Sequence, residues 1–465
     1  MKKVIYIIFC LLAAVFVYLA PDRYNYEFCL TILLIFLGIN IFHFTFSPSH
    51  SKNAANFDFF FMFSYGMTNF IYPVFYKTSN PDVSIFKLSF DYHVISKSTA
   101  IALLGYTFFL LGLTFFRKTK KPKVTMEDNS QPDFQLNNLF LRIIFVVGIA
   151  SFVGYIATGG LAELQRVYSG RGGDLNTVGI YSYFNNIFVI CCNLLAIFVL
   201  LIQDKKTKVL TFIFLIICSL LLLATGSRTV VLGIGLILVA VYGRYVKRFS
   251  VMRLLIFLLI GSFLMTLIQL SRSEEFSGDS WANNVNNNVE FDNFFDIFMD
   301  LIINNRNLYV LVEFADRRGF VYFLSTISDI TSPIPGLFGY ISKNMGVPQE
   351  LIYGGALPTF LEFGKDSDWG LGTNLVGETY VGFGFFGVCI IMFLLGFIIN
   401  KTQMASNKNI YSFVIYYLLV SHAVFFPRAF YLYQPRTIVW SLIIVALVLK
   451  FSNSLYKSKK TENLN

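Results

Sequence analysis

Five arginines and two acid–base groups stand where chemistry could occur. Arg228 lies in Ala224-Thr225-Gly226-Ser227-Arg228-Thr229, which joins two apolar runs with almost no loop. Gly226 permits a tight turn there, and Ser227 can cap the helix that follows. Arg428 follows Pro427, and Arg436 follows Pro435, at the ends of the last two apolar runs. Arg166 and Arg171 flank Tyr168 and precede Gly172-Gly173 in a short polar stretch. A guanidinium stays charged and its planar fork donates to two oxygens at once, so arginines converging on one cavity suit a diphosphate carried on a lipid. For each arginine taken singly the alternative is snorkelling to the membrane interface or a structural ion pair. Glu378, in Gly377-Glu378-Thr379-Tyr380, and His422 are the candidate proton acceptors for transfer onto a hydroxyl. A helix N-terminus alone would also favour a carboxylate at Glu378, and His422 could equally be a satisfied polar group inside a span.

These groups need a scaffold, and composition defines its solvent. The chain has 465 residues, of which 55% are hydrophobic and 14% charged, with mean hydropathy +0.63. Soluble domains carry about 25% charged residues, so water is not the main solvent, and disorder is excluded. Runs near the ~20 residues needed to cross ~30 Å of hydrocarbon recur at 4–20, 28–46, 58–76, 96–116, 139–157, 181–202, 209–225, 229–244, 252–270, 374–400, 410–427 and 437–451. The expected fold is an all-α polytopic membrane protein of about twelve transmembrane helices. The third crossing is the weakest, because Asp58, Gly66, Asn69 and Pro73 interrupt it. The first has a signal-peptide-like start (Lys2, Lys3) but no small-residue cleavage site before Pro21, and is read as a span.

With the N-terminus inside, 22 of the 37 basic residues fall on the cytoplasmic side and 21 of the 27 acidic residues on the other, +16 against −6. That satisfies the positive-inside rule. The basic clusters therefore set orientation, with both termini cytoplasmic, and are not a nucleic-acid footprint. The chain divides into a membrane region 1–270 of about nine spans, with an outward loop at 158–180; a large outward loop 271–373, holding short helices and turns; and a membrane region 374–465 of about three spans and a tail. No GxxxxGK[ST] loop is present. The six cysteines lie in apolar runs without CxxC spacing, which makes them buried thiols, and the four histidines are too scattered for a metal motif. No cofactor is implied. Aromatics are 18% of the chain, so most must face lipid or core; Tyr168, Tyr322, Trp369, Tyr431 and Tyr433 on outward segments could stack on sugars.

The whole pattern resembles the Wzy-type polymerases of O-antigen and capsular polysaccharide. Four features carry the likeness: the Thr225-Gly226-Ser227-Arg228 turn, the long outward loop before the third-last span, the segment Gly377-Glu378-Thr379-Tyr380-Val381-Gly382-Phe383-Gly384-Phe385-Phe386-Gly387-Val388, and the arginines at the mouth of the final pair. The related O-antigen ligases carry a functional histidine in the outward loop; 271–373 contains none. The resemblance implies a glycosyltransferase-C-like fold in the bacterial cytoplasmic (inner) membrane and oligosaccharide repeat units on undecaprenyl pyrophosphate as substrates. The growing chain moves from its lipid onto the free end of an incoming unit, and lipid pyrophosphate leaves. In that setting Arg228, Arg428 and Arg436 would neutralise the pyrophosphate, Arg166 and Arg171 would clamp the second substrate, and Glu378 or His422 would accept the proton. Implied partners are the lipid bilayer, a chain-length regulator and a flippase, with no nucleic acid. The competing readings are a flippase or transporter, opposed by the ~100-residue outward loop and the lack of related halves, and an O-antigen ligase.

Overall fold

The structure, a computed structural model, describes residues 2–46, 53–76, 93–115, 132–134, 138–160, 179–202, 204–224, 228–270, 294–364 and 370–462. Among them there is helix and no strand. Eight helices are long and apolar enough to cross a membrane. They are α2 (Tyr26–Phe46), α4 (Val94–Phe115), α5 (Asn138–Tyr155, prolonged by a wide turn to Gly160), α6 (Ile180–Phe198), α7 (Lys205–Ala224), α8 (Arg228–Tyr245), α14 (Leu375–Ala405) and α16 (Pro435–Glu462). The other four expected crossings are also helical, as α1 (Lys2–Tyr18), α3 (Phe57–Ile71), α9 (Val251–Leu270) and α15 (Ile410–His422). Of these α1, α3 and α15 hold 17, 15 and 13 residues, about 20 to 26 Å at ~1.5 Å per residue.

The short ones have local causes. In α3, Pro73 cannot donate to the ladder, and the helix widens into a π turn over Tyr72–Tyr76; the Tyr24 hydroxyl donates to the Pro73 carbonyl at 2.6 Å. Asp58, near the start of α3, is buried, 3.8 Å from His43 Nε2, and Nδ1 of that imidazole is hydrogen-bonded to the Tyr6 hydroxyl at 2.6 Å. Beyond α15 the chain leaves the helix for a 3₁₀ turn, Phe426–Arg428, containing Pro427.

Helix α4 is buried nearly all round and packs along α14, which makes this pair the spine of the molecule. The two backbones touch at Gly112 and Gly396: a Cβ on Gly112 would lie 2.1 Å from the Phe393 carbonyl oxygen, and one on Gly396 2.1 Å from that of Phe109. Small residues at helix crossings are what permit such an approach. All six cysteines are free thiols, five of them buried.

Between the spans lie α10 (Asn305–Arg318), α11 (Ile327–Thr331), α12 (Leu337–Asn344) and α13 (Leu357–Phe363). These are the short helices expected in 271–373, but α10 does not lie over the surface. Its Leu308, Tyr309, Leu311 and Val312 are buried against α4 and α14, and Gly377 lets it approach, since a Cβ there would meet the Leu311 side chain at 2.9 Å. A set of buried asparagines seals this insertion. Asn305 donates to the Thr68 carbonyl (2.8 Å), Asn307 to that of Leu371 (2.9 Å), and Asn374 to Asn69 Oδ1 (3.0 Å).

Asn374 also starts α14, its Oδ1 accepting from the backbone N–H of Val376 (2.9 Å) and Gly377 (3.1 Å). Asn374→Ala removes the cap, worth about 1 kcal/mol, and leaves Asn69 Oδ1 without its buried donor, costing about 1–3 kcal/mol more. Its thermal unfolding midpoint in detergent should fall by several degrees, and Asn374→Asp, which keeps the cap acceptor but also loses the donor to Asn69, should recover at most the cap's share. Equal losses from both would exclude capping as the main role.

Helix α14 is interrupted at Gly384 (φ 64°, ψ −155°). L side chains avoid this backbone geometry, and the Phe320 ring occupies the space a Cβ would need, at 2.8 Å. The Val381 carbonyl accepts the backbone N–H of Val321 at 2.9 Å. At the opposite ends of the helices, Arg244 is clamped by Ser406 (3.1 Å) and Asn407 (2.9 Å). It is thus a structural tie as well as one of the charges that suggested orientation.

Candidate functional site

Arg228 is the first residue of α8; Thr225, Gly226 and Ser227, including the expected Ser227 cap, lie outside the described residues. Its side chain lines a cavity of about 250 Å³ between α3, α8, α9 and the segments 297–301 and 424–428. Arg428 lines the same cavity. With Thr229, Ser262 and Asp300 the two arginines form its polar part, while residues such as Phe60, Phe63, Leu236, Phe257 and Leu258 supply apolar wall. The α8 wall runs from Arg228 to Val239, about 16 Å of helix at ~1.5 Å per residue. The shape is that of a cationic head with an apolar throat.

Arg428 is held by Asp300, Nη1 donating to Oδ2 at 2.6 Å and to the backbone carbonyl at 3.1 Å. The Asp300 side chain is 51% exposed. An ion pair so open to solvent contributes only about 0–1 kcal/mol, so an incoming dianion could displace it at little cost. Asp300 was not singled out in the sequence.

Arg436 does not join them. Its Nε donates to the Ser332 carbonyl at 2.6 Å, and the guanidinium lies 6.0 Å from the Trp440 ring. Trp440 Nε1 in turn donates to the Pro333 carbonyl at 2.8 Å. Two of the three arginines expected at one mouth therefore share a cavity, and the third fastens the 332–333 turn to α16. Arg166 and Arg171, with Tyr168, fall outside the described residues, as does Trp369.

Glu378 sits in the first turn of α14 with no solvent exposure. Its Oε1 accepts from the Thr373 hydroxyl (2.5 Å) and the Gly355 N–H (3.2 Å), and Oε2 is buried without a hydrogen-bond partner. A second carboxylate, Asp329, stands across the Gly354-Gly355 turn. Its Oδ2 accepts from the Ser328 hydroxyl at 3.2 Å, and that hydroxyl oxygen accepts the Gly354 N–H at 2.9 Å. Gly354 lets the carboxylate approach, because a Cβ would lie 2.6 Å from Asp329 Oδ2 and displace it. Burial raises the Asp329 pKa to about 7, opposed in part by the Ser328 hydroxyl. Tyr431, beside Ser325, is pushed up by burial and by the charges of Glu378 and Asp329.

The four residues 428–431 connect the two places. Arg428 lines the cavity, Phe430 packs on Gly354, and Tyr431 lies near enough to feel the charge of both carboxylates. Gly372 sits 4.0 Å from the Arg428 carbonyl by its absent Cβ, next to the Thr373 that holds Glu378. His422 ends α15 edge-on to Tyr433 (5.1 Å, 81°), with Nε2 buried and unbonded. No hydrogen bond ties it to Glu378, and of the two expected proton acceptors only Glu378 belongs to this cluster. Tyr433 is thus a packing partner of His422, whereas Tyr322 is exposed.

Substitution separates the charge of Glu378 from its hydrogen bonds. Glu378→Gln keeps an oxygen for Thr373 and Gly355, so its unfolding midpoint should match or exceed that of the wild type. Glu378→Ala strands both donors in the interior, costing about 1–3 kcal/mol. Midpoints that do not separate Gln from Ala would show that these bonds do not hold the 355 turn.

Among the described residues, no three His, Cys, Asp or Glu side chains gather as a metal-ligand set. No curated protein and no solved structure matches the chain. The family model described as O-antigen polysaccharide polymerase Wzy matches residues 3–459. With nearly its full length covered, and a helical scaffold carrying several membrane spans, the chain belongs to the Wzy family of O-antigen polysaccharide polymerases.

Proposed function

We propose that this polymerase joins oligosaccharide repeat units carried on undecaprenyl pyrophosphate, at the outer face of the cytoplasmic membrane, into O-antigen or capsular polysaccharide. In this reading the chain crosses the membrane twelve times in a glycosyltransferase-C-like arrangement, with both termini in the cytoplasm and the segment containing α10–α13 outside. The short α3 and α15 cross together with the turns that prolong them. A flippase delivers the substrate and a chain-length regulator sets the product size.

One observation supports the lipid carrier above the others: Arg228 and Arg428 share the polar part of a cavity whose remaining walls are apolar. A diphosphate with a polyprenyl tail has the same division of character. The guanidinium pair neutralises the charge that grows on the leaving pyrophosphate, and the tail lies along α8 and α9. Arg436 keeps the 332–333 turn in place beside the carboxylates, and Arg166 and Arg171 hold the second lipid-linked substrate.

A photoactivatable polyprenyl diphosphate tests this directly. In the purified protein it should label peptides of α8 or α9, and undecaprenyl pyrophosphate should compete far better than undecaprenol, which lacks the phosphates. Labelling spread over all lipid-facing helices, or equal competition by undecaprenol, would remove the proposal's support.

A further inference from the structure

We infer that Asp329 is the base that takes the proton from the acceptor's sugar hydroxyl, and that Glu378 positions the turn against which it works. The inference rests on the polymerase reading above and adds to it the residue that handles the proton.

Three observations separate the two carboxylates. Glu378 is fully enclosed and its Oε1 is committed to Thr373 and Gly355. Asp329 is only half-buried, on the short helix α11 facing the Gly354-Gly355 turn, with one hydrogen bond, from Ser328. Glu378 Oε2 is also enclosed, with no exposure and no hydrogen-bond partner, so this carboxylate offers no face to an entering substrate. Of the two carboxylates, the partly exposed Asp329 is the one an acceptor hydroxyl can meet.

The groups facing Asp329 are Ser328 on its own helix, Tyr353 from 349–355, Glu378 from α14, and Tyr431. Arg436 of α16 also acts on Tyr353, and its guanidinium is fixed on the Ser332 carbonyl, three residues beyond Asp329. Burial brings the Asp329 carboxyl to about 7, where a base is half available at neutral pH and binds a proton firmly enough to help remove one. In the step, the acceptor hydroxyl oxygen forms a bond to the anomeric carbon of the donor chain. The bond from that carbon to the phosphate oxygen breaks, its electron pair leaves on the pyrophosphate facing Arg228 and Arg428, and the hydroxyl proton passes to Asp329. Loss of that proton to solvent restores the site.

The experiment follows elongation of purified lipid-linked repeat units in detergent between about pH 5.5 and about pH 8.5, a window chosen to bracket the useful range of a base. The wild-type rate should rise with pH and level off above about 7. Asp329→Asn should lose about 10²-fold or more in kcat and lose the pH limb, with KM changed little and labelling by the polyprenyl diphosphate retained. Folding raises the proton affinity of Asp329 above that of an unfolded aspartate. Its carboxyl therefore favours the folded state below about pH 4 and loses that contribution as pH rises through about 7. Asp329→Asn should thus melt no lower than the wild type at pH 8, whereas a residue needed only for structure would melt lower when replaced. An Asp329→Asn rate within threefold of wild type, or an unchanged pH limb, overturns the inference. If the variant does not fold, a wild-type rate flat between about pH 6 and about pH 8 overturns it equally, and a limb moved in Asp329→Glu supports it. Loss of labelling depends on the arginines alone, so failure of the carrier reading and failure of the base are read separately.

Discussion

Replacing Arg228 and Arg428 together by alanine should collapse the glycan ladder of a host that depends on this polymerase to single repeat units, with protein levels unchanged. Both arginines line a cavity whose walls are mostly apolar, where low polarity strengthens their hold on a diphosphate. Removing one preorganised donor to a developing oxyanion typically costs about 10²- to 10³-fold in rate, so each single variant should shorten the ladder severely. Lysine at either position restores the charge without the planar fork and should recover part of the chain length. Arg436→Ala should behave differently, because its target is the Ser332 carbonyl: a lowered melting point with a ladder less damaged than that of Arg228→Ala. A full ladder from the double alanine variant would exclude the cavity from catalysis.

The second large effect is structural. Gly112→Leu, or Gly396→Leu, should leave little folded protein after extraction, and alanine at either site should already lower the unfolding midpoint. A Cβ at either position would fall 2.1 Å from a carbonyl oxygen of the facing helix, so α4 and α14 must separate along their whole contact. Overpacking by a few methylenes in a close-packed core costs about 1–3 kcal/mol, and here the obstacle is backbone, which cannot change rotamer. Gly38→Leu is the matched control, since a Cβ there meets nothing within 4 Å. Gel filtration and thermal melts in detergent read both; a Gly112→Leu protein that melts like the wild type would contradict the close crossing.

The scaffold was legible because crossing a membrane demands long apolar runs, and every expected run is a helix. The lengths of α3 and α15 were less so, since Pro73 and Pro427 redirect the chain before the apolar stretch ends. Helix α10 escaped for the opposite reason. Its sequence is polar at both ends, with Asn305, Arg306, Asn307, Glu313, Asp316, Arg317 and Arg318; its short apolar stretch 308–312 is buried, and the asparagines beside it find backbone partners on other segments.

The site divides the same way. Arg228 and Arg428 could be foreseen from charge at a short turn between apolar runs. Arg436 has the same Pro-Arg context as Arg428, but the backbone between them turns through a positive φ of 59° at Gln434, and its side chain faces the 332–333 turn. Glu378 was marked by its place at a helix start. Asp329 carries no local mark at all, because its surroundings are assembled from residues 328–329, 353–355, 378 and 431, which only the fold brings together.

The most direct test is elongation by the purified protein. Supplied in detergent with lipid-linked repeat units and no nucleotide sugar, it should yield glycans of two, three and more units by mass spectrometry, with one free undecaprenyl pyrophosphate released per bond formed. The Arg228→Ala, Arg428→Ala protein, folded and at equal concentration, should yield single units only. Elongation at the wild-type rate by that variant, or none by the wild type under conditions in which it binds the substrate, would contradict a polymerase that holds its leaving group with these two arginines.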